Sequence, residues 1–124
     1  MTRDELIALC LAKPGAYLDS PWDDGEVAKV GGKIFCFLGL PGPPVSIIVK
    51  NTAELTSEWR DRFPSHVSVP RYLAKHLWNS VSLDGAGAPD DTDVRELVDD
   101  SYRLVVASLP KSKRPTDWAS EPAD

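Results

Sequence analysis

The side chains with the greatest capacity for chemistry lie between Pro70 and Leu83, in the run PRYLAKHLWNSVSL. This stretch combines cations, aromatic rings and amides more densely than any other part of the chain. Lysine and arginine grip phosphates, and an exposed tryptophan offers a surface on which a base stacks. We therefore predict a nucleic-acid contact here. Its predicted residues are Arg71, Lys75, His76, Trp78 and Asn79, with Lys33 at a hairpin tip as a further contact.

The second half of this stretch alternates apolar and polar residues, as a half-buried β-strand does. The alternation predicts that Leu77, Val81 and Leu83 face the core. Trp78 then lies on the opposite face, either as a stacking platform or packed beneath flanking loops, because tryptophan is highly buried on average. The alternative to DNA binding is that Trp22 and Trp78 line an apolar pocket for a small ligand or another protein.

The sequence contains no catalytic constellation. Ser80 and Ser82 share a predicted strand face with His76, but a separation of about 13 Å or more along the strand prevents a hydrogen bond between nucleophile and base. Adjacent acids such as Asp90 and Asp91 point apart on a helix and act as caps, not as a metal or glycosidase pair. We expect a non-catalytic protein without a cofactor or a metal site.

The charge of the chain is acidic but uneven. It has 14 Lys and Arg against 19 Asp and Glu, a formal net charge of −5. Such a balance disfavours nonspecific binding to nucleic acid. However, four cations and one acid lie between Arg60 and His76, while acids dominate residues 84–100. A local basic face on an acidic protein is therefore compatible with the sequence.

The cysteines and the N-terminus indicate the compartment. Cys10 and Cys36 each lie inside an apolar run, as expected of buried, reduced thiols in the cytosol. Acids precede the first short apolar patch, unlike in a signal peptide. No apolar run approaches the roughly 18 residues of a membrane span. We expect a cytoplasmic protein without membrane contact.

Local signals predict one domain at residues 1–110, followed by a polar, frayed tail at residues 111–124. Thr2 and Glu5 form a capping box, and Gly31-Gly32 suits a two-residue hairpin turn. The pattern predicts helices from Thr2 to Lys13, from Asn51 to Phe63 and from a cap at Asp90 or Asp91 to Leu109. It predicts strands from Val27 to Val30, Lys33 to Leu40, Val45 to Lys50 and within Pro70–Leu83. The order α-β-β-β-α-β-α predicts an α+β fold, with helices packed against an antiparallel sheet.

Several motifs together resemble those of the MmcQ/YjbR family of small bacterial proteins. They are CLAKPGAYLDSPW, KVGGKIFCFLG, the run from Tyr72 to His76 with Trp78, and ELVDDSYRLVVASLPKSKRP. The resemblance implies a CyaY-like α+β fold, described as a double wing and commonly labelled DNA-binding. Many members carry Lys-Lys-His-Trp-Asn before the last strand, where this chain has Lys75-His76-Leu77-Trp78-Asn79 and thus less positive charge. The fold also resembles that of iron-binding frataxin relatives, but the acids lie late in this chain and imply no iron site.

Overall fold

The fold is an antiparallel sheet with helices on one face, as expected of an α+β protein. The computed structural model describes residues 1–22, 25–70 and 77–119. In chain order these residues form α1 (Arg3–Leu11), β1 (Tyr17–Trp22), β2 (Gly25–Val30), β3 (Lys33–Gly39), β4 (Ser46–Lys50), α2 (Ala53–Arg62), β5 (Val67–Ser68), β6 (Trp78–Ser82), α3 (Asp91–Ala107) and a 3-10 helix (Lys111–Lys113). The strands lie side by side in the order β1-β2-β3-β4-β6-β5, and every neighbouring pair is antiparallel. The predicted fold class is confirmed.

The core lies between the helices and one face of the sheet. Along β4, Ile47 and Val49 are buried, whereas Ile48 between them is half-buried and faces the other side. Leu97 and Val98 of α3 and Cys10 of α1 pack into the same apolar cluster as these strand residues. Fully burying a side chain of this size contributes about 1.5–3 kcal/mol, so the helix stripes fix which sheet face is covered.

Side-chain caps begin the helices. Thr2 with Glu5, and Asp90 with Asp93, form reciprocal capping boxes at the starts of α1 and α3. The cap of α2 differs from the sequence prediction, because Thr52, and not Asn51, accepts the hydrogen bond from the Leu55 amide. Asn51 is instead fully buried, and its side-chain oxygen accepts a hydrogen bond from Asn79 of β6.

Two strands were missed by the sequence prediction. The segment from Ala16 to Glu26 is rich in turn residues and is therefore expected to be a loop, but it contains β1, an edge strand that pairs only with β2 among the described residues. Pro21 made this segment resemble a loop, but an edge strand tolerates proline because one side needs no ladder hydrogen bonds. The short β5 lies in the connector after α2 and pairs with β6.

A bulge in β3 changes the direction of its aromatic residues. The β2–β3 register shifts between Ala28 and Lys29, leaving Phe35 without a partner residue in that ladder. Phe35 packs edge-on against Tyr102 in the core, with ring centroids 5.3 Å apart. Phe37 instead packs against Trp78 on the opposite face. The alternation of a regular strand predicts that Phe35 and Phe37 face the same way; this expectation is wrong because a bulge breaks the two-residue period.

The described part of the tail, residues 111–119, is docked on the domain and not frayed. Arg114 donates hydrogen bonds to the carbonyls of Ala107 and Leu109. Its guanidinium lies over the ring of Trp118, which packs against the core. These contacts extend the folded unit beyond the predicted boundary at residue 110. Within the described residues, no helix has the length and apolar character to cross a membrane.

Candidate functional site

Strands β3 and β4 separate at one end of the sheet, and a serine from α3 fills the gap. Among the described residues their ladder holds the pairs Cys36–Val49 and Phe37–Ile48. Beyond them, the buried Ser101 hydroxyl donates to the Phe35 carbonyl at 2.6 Å and accepts from the Lys50 amide at 2.9 Å. This hydroxyl therefore satisfies one backbone group on each strand where direct pairing has ended.

A cleft of about 460 Å³ opens at this separation of the strands. Its walls combine residues of five strands and one helix: Pro21 of β1, Lys29 of β2, Lys33, Ile34 and Phe37 of β3, Lys50 of β4, Trp78 of β6 and Val105 of α3, with Gly32 of the hairpin turn and Ser108, the C-cap of α3. The volume lies within the range of about 300–1,000 Å³ that is common for ligand sites. We call this site the β3–β4 cleft.

The apolar wall of the cleft contains an aromatic pair. The Phe37 and Trp78 ring centroids are 5.6 Å apart at 76°, an edge-to-face arrangement. Such pairs contribute about 0.5–1.5 kcal/mol beyond their buried area, so they hold each other's orientation. Trp78 is half-buried, because it lies on the sheet face that faces away from the helices. Lys50 is its partner in the β4–β6 ladder. The Trp78 indole thus combines the packing and the surface roles that the sequence left open.

Three lysines supply the positive charge. Lys33 is exposed at the hairpin, and its Nζ lies 3.4 Å from the Ser108 hydroxyl. Lys29 is paired with Asp19 through a contact of 2.6 Å. Hydrogen bonds from Lys29 and from the Ser20 amide lower the pKa of Asp19, and the bond to Asp19 raises the pKa of Lys29. Lys29 is therefore charged but partly neutralised, while Lys33 and Lys50 carry charge without a carboxylate partner among the described ion pairs.

Charge is distributed unevenly along the domain. The hairpin turn touches the end of α3, because a Cβ on Gly31 would meet Leu109 Cδ1 at 2.5 Å. The cleft therefore lies near the C-terminal end of α3, whereas Asp90, Asp91 and Asp93 surround its N-terminal end. A helix of 17 residues spans about 25 Å. This is about three Debye lengths at physiological salt, so those acids act weakly on an anion in the cleft.

The structure brings two of the predicted contact residues, Lys33 and Trp78, to one site. Arg71, Lys75 and His76 lie outside the described residues, as does the side chain of Trp22. Leu77 was predicted to face the core, but it is 37% exposed. The alternation fails there because the regular strand begins only at Trp78.

Asn79 has a structural environment that differs from the predicted contact role. It is fully buried on the core face, on the same side of β6 as Val81. Its amide donates to Asn51 Oδ1 at 2.7 Å and to the Thr56 carbonyl at 3.3 Å, and its Oδ1 accepts from Arg60 Nε at 2.7 Å. These bonds tie β6 to α2 and leave Asn79 no surface for a ligand.

Sequence reasoning missed Lys29, Phe37, Lys50 and Ser101 as residues of the site. Lys50 lies at the site because the β4–β6 register pairs it with Trp78. No sequence signal marks Ser101, because its partners Phe35 and Lys50 are 66 and 51 residues distant.

The cysteines belong to the core, as the sequence predicted. Cys10 and Cys36 are free and buried. A hydrogen bond with Cys10 and burial raise the pKa of the Cys36 thiol, which keeps it neutral. Within residues 1–22, 25–70 and 77–119, no group of three or more His, Cys, Asp or Glu side chains is arranged to hold a metal ion.

Comparisons with known proteins cover nearly the whole chain. The YjbR family model matches residues 11–104. The uncharacterized protein YjbR of Escherichia coli K12 is 34% identical over 116 residues, which cover 92% of this chain and 95% of that protein, and its O157:H7 counterpart gives the same values. The crystal structure of Deinococcus radiodurans protein DR2400, with the domain DUF419, matches with a TM-score of 0.83 at 25% identity, covering 99% of this chain and 96% of that one. The names of these relatives state no biochemical role.

Proposed function

This chain belongs to the YjbR family, and we propose that it is a non-catalytic DNA-binding protein whose contact surface is the β3–β4 cleft. The observation that carries the proposal is the placement of lysines beside an aromatic pair in one concave site. Lysine ammonium groups bind phosphate as point charges. Aromatic rings stack on bases. The cytoplasmic location predicted from the sequence belongs to the same proposal.

The net charge of −5 is compatible with this role because the charge is local. The acids at the start of α3 lie about three Debye lengths from the cleft, because the 17-residue helix between them spans about 25 Å. Each phosphate neutralised on a single strand contributes about 0.7 to the slope of log K against log salt. Lys33 and Lys50, which have no carboxylate partner among the described ion pairs, therefore predict a slope of about −1.4, a modest affinity that falls with salt.

A second candidate is a pocket for a small ligand or for a side chain of another protein. The apolar part of the wall favours it, since Ile34, Phe37 and Val105 line the cleft beside Trp78. The sequence suggested a pocket near Trp22 and Trp78, and of these two residues only Trp78 has a described side chain, which lines the cleft.

Fluorescence anisotropy with a labelled DNA of about 16 nucleotides tests the first candidate. The titration is repeated between about 50 and 200 mM salt. The double variant Lys33→Ala/Lys50→Ala should reduce the salt slope by about 1.4, which is about 0.7 per lysine. Arg95→Ala is the matched control, because it removes an exposed cation from the acidic end of α3. The same samples run on a denaturing gel should show uncut DNA, as expected of a non-catalytic role.

No binding at about 50 mM salt, or an equal effect of Arg95→Ala and the double variant, would refute the DNA proposal. The pocket candidate then predicts that the Trp78→Ala variant unfolds at the same temperature as the wild type but no longer binds a protein partner or a small ligand. Simple unfolding of that variant would show that Trp78 acts only as a core residue.

A further inference from the structure

We infer that the β3–β4 cleft receives one unpaired base, so that the protein prefers single-stranded over double-stranded nucleic acid. This inference rests on the proposed function and specifies its ligand.

The shape of the site argues against a duplex. A protein reads duplex DNA by inserting a convex element, a helix or a two-stranded ribbon, into a groove. The β3–β4 cleft is concave, and its floor includes Val105, which is only 3% exposed. A group that contacts Val105 must insert into the cleft. A base in a duplex does so only by breaking its pairing and stacking, which costs a few kcal/mol, whereas a base in a single strand turns outward at low cost.

The chemistry of the wall suits a base flanked by phosphates. Phe37 and Trp78 present ring surface and edge on one side of the opening. Lys33 begins β3 and Lys50 ends β4, so the cations come from the two strands that border the gap. A nucleotide within a strand has a matching arrangement: a flat base that stacks through its π-face, with a phosphate on either side of its sugar. Stacking on an aromatic side chain is tolerant of sequence, since every base has a π-face.

Ser101 keeps the cleft open when it is empty. Its hydroxyl bonds to the Phe35 carbonyl and the Lys50 amide, which removes the need for those groups to pair with each other. The strands therefore stay apart without a ligand, and binding requires no rearrangement of the sheet. Such preorganisation increases affinity because the ordering cost is met on folding. Ser101 is thus a positioning residue for the site.

The test compares three labelled probes of about 16 nucleotides: a mixed-sequence single strand, the same sequence as a duplex, and a single strand with abasic sugars. The single strand should bind about tenfold more tightly than either other probe, because loss of one stacked base costs about that factor. Trp78→Leu should remove this preference, while Trp78→Phe, which retains a ring, should keep most of it. Thermal unfolding of both variants establishes that they fold.

The outcomes separate this inference from the proposed function. Equal affinity for single strand and duplex, or for the abasic probe, overturns the inference and leaves DNA binding intact. The same conclusion follows if Trp78→Leu weakens all three probes equally. Failure to bind any probe overturns the proposed function, and the inference with it.

Discussion

Ser101 should be among the most sensitive polar positions in the protein. In Ser101→Ala the Phe35 carbonyl loses its 2.6 Å partner and the Lys50 amide its 2.9 Å partner. A buried backbone group without a partner costs about 1–3 kcal/mol. The Phe35 carbonyl should approach the upper part of this range because Phe35 is fully buried. The Lys50 amide is only partly buried, so water offsets some of its loss. We expect Ser101→Ala to lower the free energy of unfolding by about 2–3 kcal/mol.

Urea unfolding followed by circular dichroism measures this loss. With an m-value of about 1.5 kcal/mol/M, the midpoint should fall by about 1–2 M. Ser57→Ala is the matched control, because it removes an exposed serine hydroxyl from another helix, α2. It should change the free energy of unfolding by less than about 0.5 kcal/mol. If the two variants unfold at the same urea concentration, the Ser101 hydroxyl does not hold β3 and β4 apart.

Three further predictions concern the framework of the cleft. Asn79→Ala should lower the free energy of unfolding by about 2–4 kcal/mol, because Asn51, Thr56 and Arg60 lose their partner. Urea unfolding measures this loss, with Ser80→Ala on the opposite face of β6 as the control. An equal loss in both variants would contradict the prediction. Gly31→Ala should cost about 1–3 kcal/mol more than Gly32→Ala, since both have positive φ but only at Gly31 would the new Cβ meet Leu109, at 2.5 Å; equal melting temperatures would show that Leu109 adapts freely. Burial, and then Asp99, raise the pKa of Tyr102 to about 12, whereas an unfolded tyrosine ionises near pH 10. The unfolded state therefore releases its proton first, and the stability that the neutral phenol provides is complete below about pH 10 and is lost towards pH 12. The difference in melting temperature between the wild type and Tyr102→Phe should shrink across this window, and a constant difference would refute the assignment.

The sequence predicted best what is decided within a few residues. The predicted capping box of α1 joins Thr2 to Glu5 three residues away and is present, and α3 is capped by Asp90, one of the two acids predicted for that role. The Gly31-Gly32 turn has positive φ at both glycines, which few other residues tolerate. The apolar stripes of the helices and the alternation of β4 sufficed for the α+β fold, because burial on one face imposes its period on the chain.

The candidate site was predicted only in part, because its geometry depends on distant contacts. Lys33 and Trp78 were recognised from their residue types, but their meeting at one cleft depends on strand order and register. Asn79 looked like a contact residue by its neighbours in sequence. In the fold it completes a buried hydrogen-bond network with Asn51 and Arg60, because an amide on the core face must find partners.

The sequence by itself determined the helices, most of the strands and which residue types were available to bind an anion. The tertiary structure decided where those residues work. The bulge at Phe35 turned Phe37 towards Trp78, and Ser101 held β3 and β4 apart beside them. The Ser101 contacts have no local signal because their partners lie 66 and 51 residues away in the chain. The bulge interrupts the two-residue period on which the strand pattern depends. Those long-range requirements converted a set of lysines and aromatic rings into a cleft.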